Sequence, residues 1–236
     1  MKGMLRVEGV KWIHSSSLWI ILGVLVVSCG VSVLSGVYPN MEILLDSLSR
    51  DSMVPILACA VYSAICLTDD FSNGMVRHFI ANGYKRPSIL AAKYLYYLLG
   101  CCLLLFLYPC LCVGLAALVQ GGWDEIPLAL ARAGSRFLLL LPLYLGIFSL
   151  FFAISIWVKK GAVAMGISVA SSILLVVFTN RLYGNGIELF RYSPVIQIGR
   201  AWAGTPLEYG IAAGISLLFA LLFVWGSMVK FQREEW

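Results

Sequence analysis

Charge is scarce in this sequence. Only 12% of the residues are charged, against ~25% in soluble domains. Hydrophobic residues make up 61% and gather in six runs of roughly 20 residues, the length that crosses the hydrocarbon core of a bilayer. The connections between the runs are too short for a soluble catalytic domain. The sequence therefore predicts an all-α, polytopic membrane protein with six transmembrane helices, in a single domain over residues 1–236.

Catalytic and metal-binding motifs are also missing. The two histidines, His14 and His78, lie outside the apolar runs, and no run contains the paired ligands of a metalloprotease. The chain has neither a Gly-x-Ser-x-Gly elbow nor a phosphate-binding Gly-x-x-x-x-Gly-Lys-Ser/Thr loop. The seven cysteines fall inside the runs, where they are expected to pack as small apolar residues. We expect no enzymatic activity, no metal site, no cofactor and no ionisable group inside the spans.

The bounds of the spans follow from hydropathy and from costly charges. Two lysines at mid-membrane would be unfavourable, so Lys159-Lys160-Gly161 predicts a tight turn at the surface between the fourth and fifth spans. The spans are predicted at Leu18–Val37, Met53–Thr68, Tyr94–Val119, Phe137–Val158, Gly161–Thr179 and Leu207–Val229.

Basic residues concentrate on one side of this topology. Segments 1–17, 69–93, 159–160 and 230–236 hold eleven of the 17 basic residues and all of the lysines. The positive-inside rule therefore predicts that both termini face the cytoplasm. This distribution accounts for the net charge of +5, so no nucleic-acid partner is expected.

Three segments between or before the spans have a pattern of their own. In residues 1–17, apolar and basic positions alternate at helical spacing, which predicts an interfacial helix, with a solvated extension as the alternative. The long outside segment 180–206 holds apolar pieces too short to span a bilayer. It is expected to form re-entrant or interfacial helices that cap the bundle.

The third segment is the cytoplasmic stretch 69–93. Asp69 and Asp70 are expected to cap the N-terminus of a short helix, whose apolar face is formed by Met75, Val76, Phe79 and Ile80. Asn82-Gly83 predicts a turn, and Pro87 is expected to start the next helix. A helix held there could receive a push from a partner domain. The alternative is a helix lying on the lipid surface, with its basic residues facing anionic headgroups.

Short motifs in all three segments resemble those of ABC type-2 exporter permeases. Glu8-x-x-Lys11, followed by Trp12, resembles their N-terminal interfacial helix. Asp70-Phe-Ser-Asn-Gly-Met-Val-Arg77, with Gly83-Tyr-Lys-Arg-Pro-Ser88 behind it, resembles their coupling loop, although Met75 stands where Thr is common. Tyr192-Ser-Pro194 matches the region of their short extracellular helices. In length, the chain resembles small permeases of bacteriocin and lantibiotic immunity and of bacitracin resistance.

The resemblance implies a permease subunit in a bacterial cytoplasmic membrane. It would pair with a second permease chain, identical or sibling, and with separate ATPase subunits that bind ATP and Mg. The exported substrate would be amphipathic, such as an antimicrobial peptide or a lipid-like compound. The implied ATPase-coupling residues are Asp69, Asp70, Phe71, Asn73, Gly74, Arg77 and Phe79. The implied residues elsewhere are Glu8, Lys11 and Trp12 in the interfacial helix, and Tyr192, Ser193 and Pro194 at an extracellular gate.

Two other functions remain open on the residues alone. A non-transport scaffold or sensor would need the same spans but no ATPase. An intramembrane enzyme would need buried His, Asp or Glu side chains, which the apolar runs do not supply.

Overall fold

The structure is a computed structural model that describes residues 9, 16–35, 41–50, 53–120, 124, 126–200 and 205–233. All regular secondary structure in these residues is helical. The elements in chain order are α1 Ser16–Ser35, α2 Met41–Arg50, α3 Met53–Ser72, α4 Met75–Ala81, α5 Arg86–Gln120, α6 Ile126–Val158, α7 Gly161–Gly184, a 3₁₀ helix Glu188–Tyr192, α8 Pro194–Arg200 and α9 Pro206–Arg233.

Five of the described helices, α3, α5, α6, α7 and α9, are long and apolar enough to cross a membrane. The first predicted span corresponds to α1, whose apolar part, Leu18–Leu34, is shorter than the other five. Six spans are thus not confirmed. Two helices extend beyond the predicted spans: α5 begins at Arg86, close to the start expected at Pro87 and before the span predicted from Tyr94, and α6 begins at Ile126, before the span predicted from Phe137. At 35 and 33 residues, these helices are longer than the hydrocarbon core requires.

Helix α6 lies at the centre of the bundle and packs along α9, α3 and α5. It approaches α9 closely at Gly146, whose backbone N–H donates to Ser216 Oγ at 3.0 Å. The Ser216 hydroxyl in turn donates to the Leu143 carbonyl at 2.8 Å. A Cβ on Gly146 would lie 2.7 Å from the Ser216 carbonyl oxygen, so glycine is what allows the two backbones to approach.

Helices α3 and α5 are joined by buried aromatic rings. The Tyr62 and Tyr97 rings stack with centroids 6.0 Å apart, and both side chains are fully buried. The Tyr62 ring lies against Gly100, where a Cβ would collide with it. The Tyr97 hydroxyl donates to the Phe148 carbonyl at 3.0 Å, which ties the pair to α6.

Cysteines hold α1 against α5 by packing, as the sequence predicts. Cys29 and Cys112 are buried with their sulfur atoms 2.7 Å apart, and the Cys29 thiol lies 3.5 Å from the Tyr108 carbonyl oxygen. All seven cysteines lie in the described part of the chain, and none of them is in a disulfide.

Helix α2 is an element that hydropathy did not predict. It occupies the first connection on the side assigned to the exterior, and it buries Leu44 and Leu45 against the bundle. Its polar residues between apolar ones lower the hydropathy of the segment without preventing a helix. The predicted interfacial helix, with Glu8, Lys11 and Trp12, lies outside the described residues.

Candidate functional site

A sharp break separates α3 from the short helix α4. Helix α3 ends at Ser72, and the Asn73 N–H still donates to the Asp69 carbonyl at 3.0 Å. Gly74 then adopts a left-handed conformation, with φ 65° and ψ 9°. A residue with a Cβ would be strained there by about 1 kcal/mol, so glycine is favoured at this turn.

The prediction that Asp69 and Asp70 cap α4 is wrong. Both residues lie in the last turn of α3, and the residue at the N-cap of α4 is Gly74, which has no capping side chain. A polar pair before a glycine is equally compatible with the end of one helix and the start of the next. Here the helix of α3 continues about one turn beyond the predicted end of its span at Thr68.

Asp70 instead forms a buried ion pair with Lys93, about two turns inside α5. Each residue exposes only 2% of its surface. Both residues lie just outside the predicted spans, which end at Thr68 and begin at Tyr94, in helices that continue past those bounds. Hydropathy could not find the pair, because its members are 23 positions apart and meet only through the packing of α3 against α5.

Helix α4 is fixed to the bundle by one apolar face. Val76 and Phe79 are buried, and the Phe79 ring meets the Tyr84 ring edge-on, with centroids 6.1 Å apart. The turn predicted at Asn82-Gly83 is confirmed: Gly83 has φ 80°, and the Tyr84 N–H donates back to the Phe79 carbonyl at 3.2 Å. The α5 helix then begins at Arg86, one residue before Pro87.

The segment that joins α3 to α5, residues 69–85, is called the α4 hairpin below. Its face opposite to Val76 and Phe79 is solvent-exposed. Asp69, Asn73, Arg77 and His78 are exposed, and Phe71 and Gly74 are half-buried. Phe79 is only 8% exposed and Asp70 only 2%. The residues assigned to coupling therefore divide into an outward set that a partner could touch and an inward set that positions the hairpin.

Two further segments meet the hairpin at the same end of the bundle. The Arg86 guanidinium donates to the Gln232 carbonyl at 2.6 Å, near the end of α9. The Lys159 ammonium lies 5.9 Å from the centre of the Phe71 ring. Lys159 itself has φ 58°, in the break predicted between α6 and α7. Segments 69–93, 159–160 and 230–233, which the sequence assigns to one side, therefore lie together in the structure.

A second polar cluster lies at the other end, around the 3₁₀ helix and α8. Arg191 pairs with Glu208 at 2.6 Å, and the Gln197 amide donates to the Arg191 carbonyl at 2.8 Å. Tyr192 ends the 3₁₀ helix, Ser193 lies in the bend and Pro194 begins α8. All three are half-buried. Of these three predicted gate residues, Ser193 and Pro194 lie beside an open cavity of about 180 Å³.

The comparisons with known proteins identify no relative. No protein-family model, no curated protein and no solved structure matches this chain. Fold and composition define its class as a multi-pass helical membrane protein, with five described helices able to span a bilayer. Among the residues that the structure describes, no three His, Cys, Asp or Glu side chains are grouped to hold a metal ion.

Proposed function

We propose that this chain is the membrane-embedded permease subunit of an ATP-driven exporter, of the ABC type-2 class that its motifs resemble. The observation that carries the proposal is the α4 hairpin, a short helix held rigidly between two long apolar helices at the lysine-rich end. A helix that only lay on lipid would have no need of a buried ion pair at its base. The ATP and Mg sites belong to separate ATPase subunits.

In the proposed mechanism, the outward residues of the hairpin bind the ATPase. Asp69, Asn73 and Arg77 are exposed and offer an acid, an amide and a base to a partner groove. Val76 and Phe79, both buried, hold α4 against the bundle. A displacement of α4 driven by ATP is then transmitted to α3 and α5 instead of being absorbed at the surface.

The other end of the bundle supplies the extracellular side of the pathway. Ser193 and Pro194 share a cavity with Ser216 of α9, and Ser216 lies ten residues after Pro206, about 15 Å along the helix. This depth supports a re-entrant position for the 3₁₀ helix and α8, and a gate at Tyr192-Ser193-Pro194. The cavity is lined mainly by apolar side chains, which suits an amphipathic substrate such as an antimicrobial peptide or a lipid-like compound.

The orientation that the mechanism requires is the one that the basic residues favour. The lysine-rich end faces the cytoplasm, where an ATPase could reach it, in a bacterial cytoplasmic membrane. A second permease chain, identical or a sibling, completes the transporter, because an ABC exporter contains two membrane halves.

Co-purification tests the proposal. The chain is tagged at its C-terminus, expressed with its neighbouring genes, solubilised in mild detergent and examined for a stoichiometric subunit that carries a phosphate-binding loop. Arg77→Glu is expected to abolish the association, because it reverses the charge of an exposed hairpin residue. Arg181→Glu, the same reversal at an exposed position on the other end, is expected to retain it.

The opposite result has a clear meaning. If the wild-type chain purifies without an ATPase even when one is co-expressed, the transporter proposal is wrong and the scaffold or sensor function replaces it. If Arg77→Glu and Arg181→Glu both retain the ATPase, a permease remains but α4 is not its docking element.

A further inference from the structure

The cavity beside Ser193 and Pro194 lies at mid-depth in the bundle, with a wall built from α6, α7, α8 and α9. Phe219 and Phe223 line it, 13 and 17 residues after Pro206, or about 20–25 Å along α9. The cavity is open, and Phe219 in its wall is 47% exposed. A nonpolar molecule dissolved in the bilayer can therefore reach it from the side.

The free volume of this cavity fits one aromatic ring. It is about 180 Å³, and an apolar protein cavity of about 150 Å³ holds a benzene molecule. Pockets for drug-sized ligands begin at about 300 Å³. The cavity is therefore large enough for a single ring or a short alkyl group, but not for a whole lipid.

The composition of the wall favours a ring over an alkyl group. The Phe219 and Phe223 rings stack nearly parallel, at 20° with centroids 6.1 Å apart, and Ile147, Leu150 and Leu175 supply aliphatic surface. Burial in such a wall favours any apolar group. Contact with other rings adds a preference for an aromatic group beyond the gain from burial.

A polar group lies at one side of this apolar wall. Ser193 lines the cavity where the chain bends into α8. The hydroxyl of Ser216, which also lines the cavity, already bonds to the α6 backbone at Leu143 and Gly146. A serine hydroxyl can both donate and accept hydrogen bonds, so Ser193 can meet an N–H or O–H at the edge of a bound ring.

We propose that this cavity, the Phe219–Phe223 cavity, binds a single aromatic ring that carries a polar edge, as an indole or a phenol does. The two phenylalanine rings select the aromatic group, and Ser193 meets its N–H or O–H. The identity of the ring as part of a substrate rests on the proposed function: in an exporter, the cavity is the subsite for a tryptophan or tyrosine side chain of an amphipathic peptide. The binding site itself requires no ATPase.

Photolabelling tests the site in the full-length protein, reconstituted in phosphatidylcholine nanodiscs. The probe is a phenyl trifluoromethyl diazirine, the competitors are indole and octane, and labelled residues are identified by mass spectrometry of the digested protein. Excess indole is expected to reduce the label on Leu175 and Phe223 about tenfold, and octane is expected to reduce it less. Label on Leu221, which is 69% exposed and outside the cavity lining, is expected to be unchanged by either competitor.

Three variants locate the site. Leu175→Trp fills the cavity and is expected to remove the label that indole competes for, whereas Leu174→Trp, an exposed neighbour outside the lining, is expected to retain it. Ser193→Ala is expected to weaken competition by indole about three- to tenfold, the effect of one hydrogen bond, and to leave competition by benzene unchanged. Phe223→Leu is expected to abolish the preference for indole over octane, and it carries the comparison if Leu175→Trp does not fold.

Three results would overturn the proposal. Label on Leu175 and Phe223 that excess indole does not reduce shows that no ring is bound there. Equal competition by indole and octane shows that the wall does not select an aromatic group, and equal effects of Leu175→Trp and Leu174→Trp show that the label comes from the lipid-facing surface. Each of these results leaves the exporter proposal standing, because co-purification of an ATPase tests that proposal separately.

Discussion

Breaking the buried ion pair between Asp70 and Lys93 is expected to be the most destabilising conservative change at the α4 end. In Lys93→Met the carboxylate of Asp70 keeps its buried site, 2% exposed, and loses its cation. Removing one partner of a buried pair costs about 3–5 kcal/mol, since the remaining charge is left without compensation. Asp70→Leu is expected to cost a similar amount for the same reason.

The double variant, Asp70→Leu with Lys93→Met, distinguishes a lost ion pair from damaged packing. Replacing both charges by apolar residues of similar size is often close to neutral, so it is expected to be at least about 2 kcal/mol more stable than either single variant. The assay is reversible unfolding in mixed detergent micelles, with the free energy of unfolding measured for all four proteins of the cycle.

The pair of Arg191 and Glu208 provides a comparison within the same chain. Its two side chains are 38% and 10% exposed, more than those of Lys93 and Asp70, so solvent screens the interaction better and Arg191→Met is expected to cost less than Lys93→Met. The reasoning is refuted if Lys93→Met costs no more than Arg191→Met, or if the double variant at 70 and 93 loses the sum of its two single losses.

Two contacts between helices lead to further predictions. Gly146→Ala is expected to cost about 1–3 kcal/mol in the same unfolding assay, because the new methyl group meets the backbone of α9. The control is Gly134→Ala, in open space on the same helix, which is expected to cost nothing. Equal losses of stability in the two variants would contradict the close approach of α6 and α9. Mild oxidation is expected to join Cys29 to Cys112 and so fix α1 to α5, as detected by mass spectrometry of the digested protein. Cys110→Ser is expected to keep this product and Cys29→Ser to remove it; no product in the wild type would contradict the position of α1.

Local signals predicted the breaks between helices well. Lys159-Lys160 and Asn82-Gly83 lie where the structure turns, because a costly charge or a favoured turn dipeptide acts within a few residues of the chain. The start of α6 was harder to predict. Arg132 and Arg136 lower the local hydropathy and suggest a loop. The backbone hydrogen bonds of a helix do not depend on side-chain charge, however, and α6 extends back to Ile126.

Contacts between distant positions could not be predicted from one sequence. Asp70 and Lys93 are both correctly assigned to the lysine-rich side, but their pairing depends on the relative rotation and height of α3 and α5. The cavity lined by Leu48, Pro55, Leu105 and Leu140 depends on four helices at once. Periodicity gives the apolar face of each helix, but it does not say which faces meet or where they leave a gap.

The same two helices connect both ends of the bundle. Helix α3 carries Asp70 near one end and Pro55 near the other, and α5 carries Lys93 and Tyr108 in the corresponding places. Fifteen residues of helix, about 22 Å, separate Pro55 from Asp70 in α3 and Lys93 from Tyr108 in α5. Between the two ends lie the stacked rings of Tyr62 and Tyr97, with the Tyr62 ring packed against Gly100. This packing leaves little room for α3 to slide along α5. Close-packed interiors transmit such a displacement instead of absorbing it, so a displacement of α4 is expected to reach the opposite end of the bundle through α3 and α5.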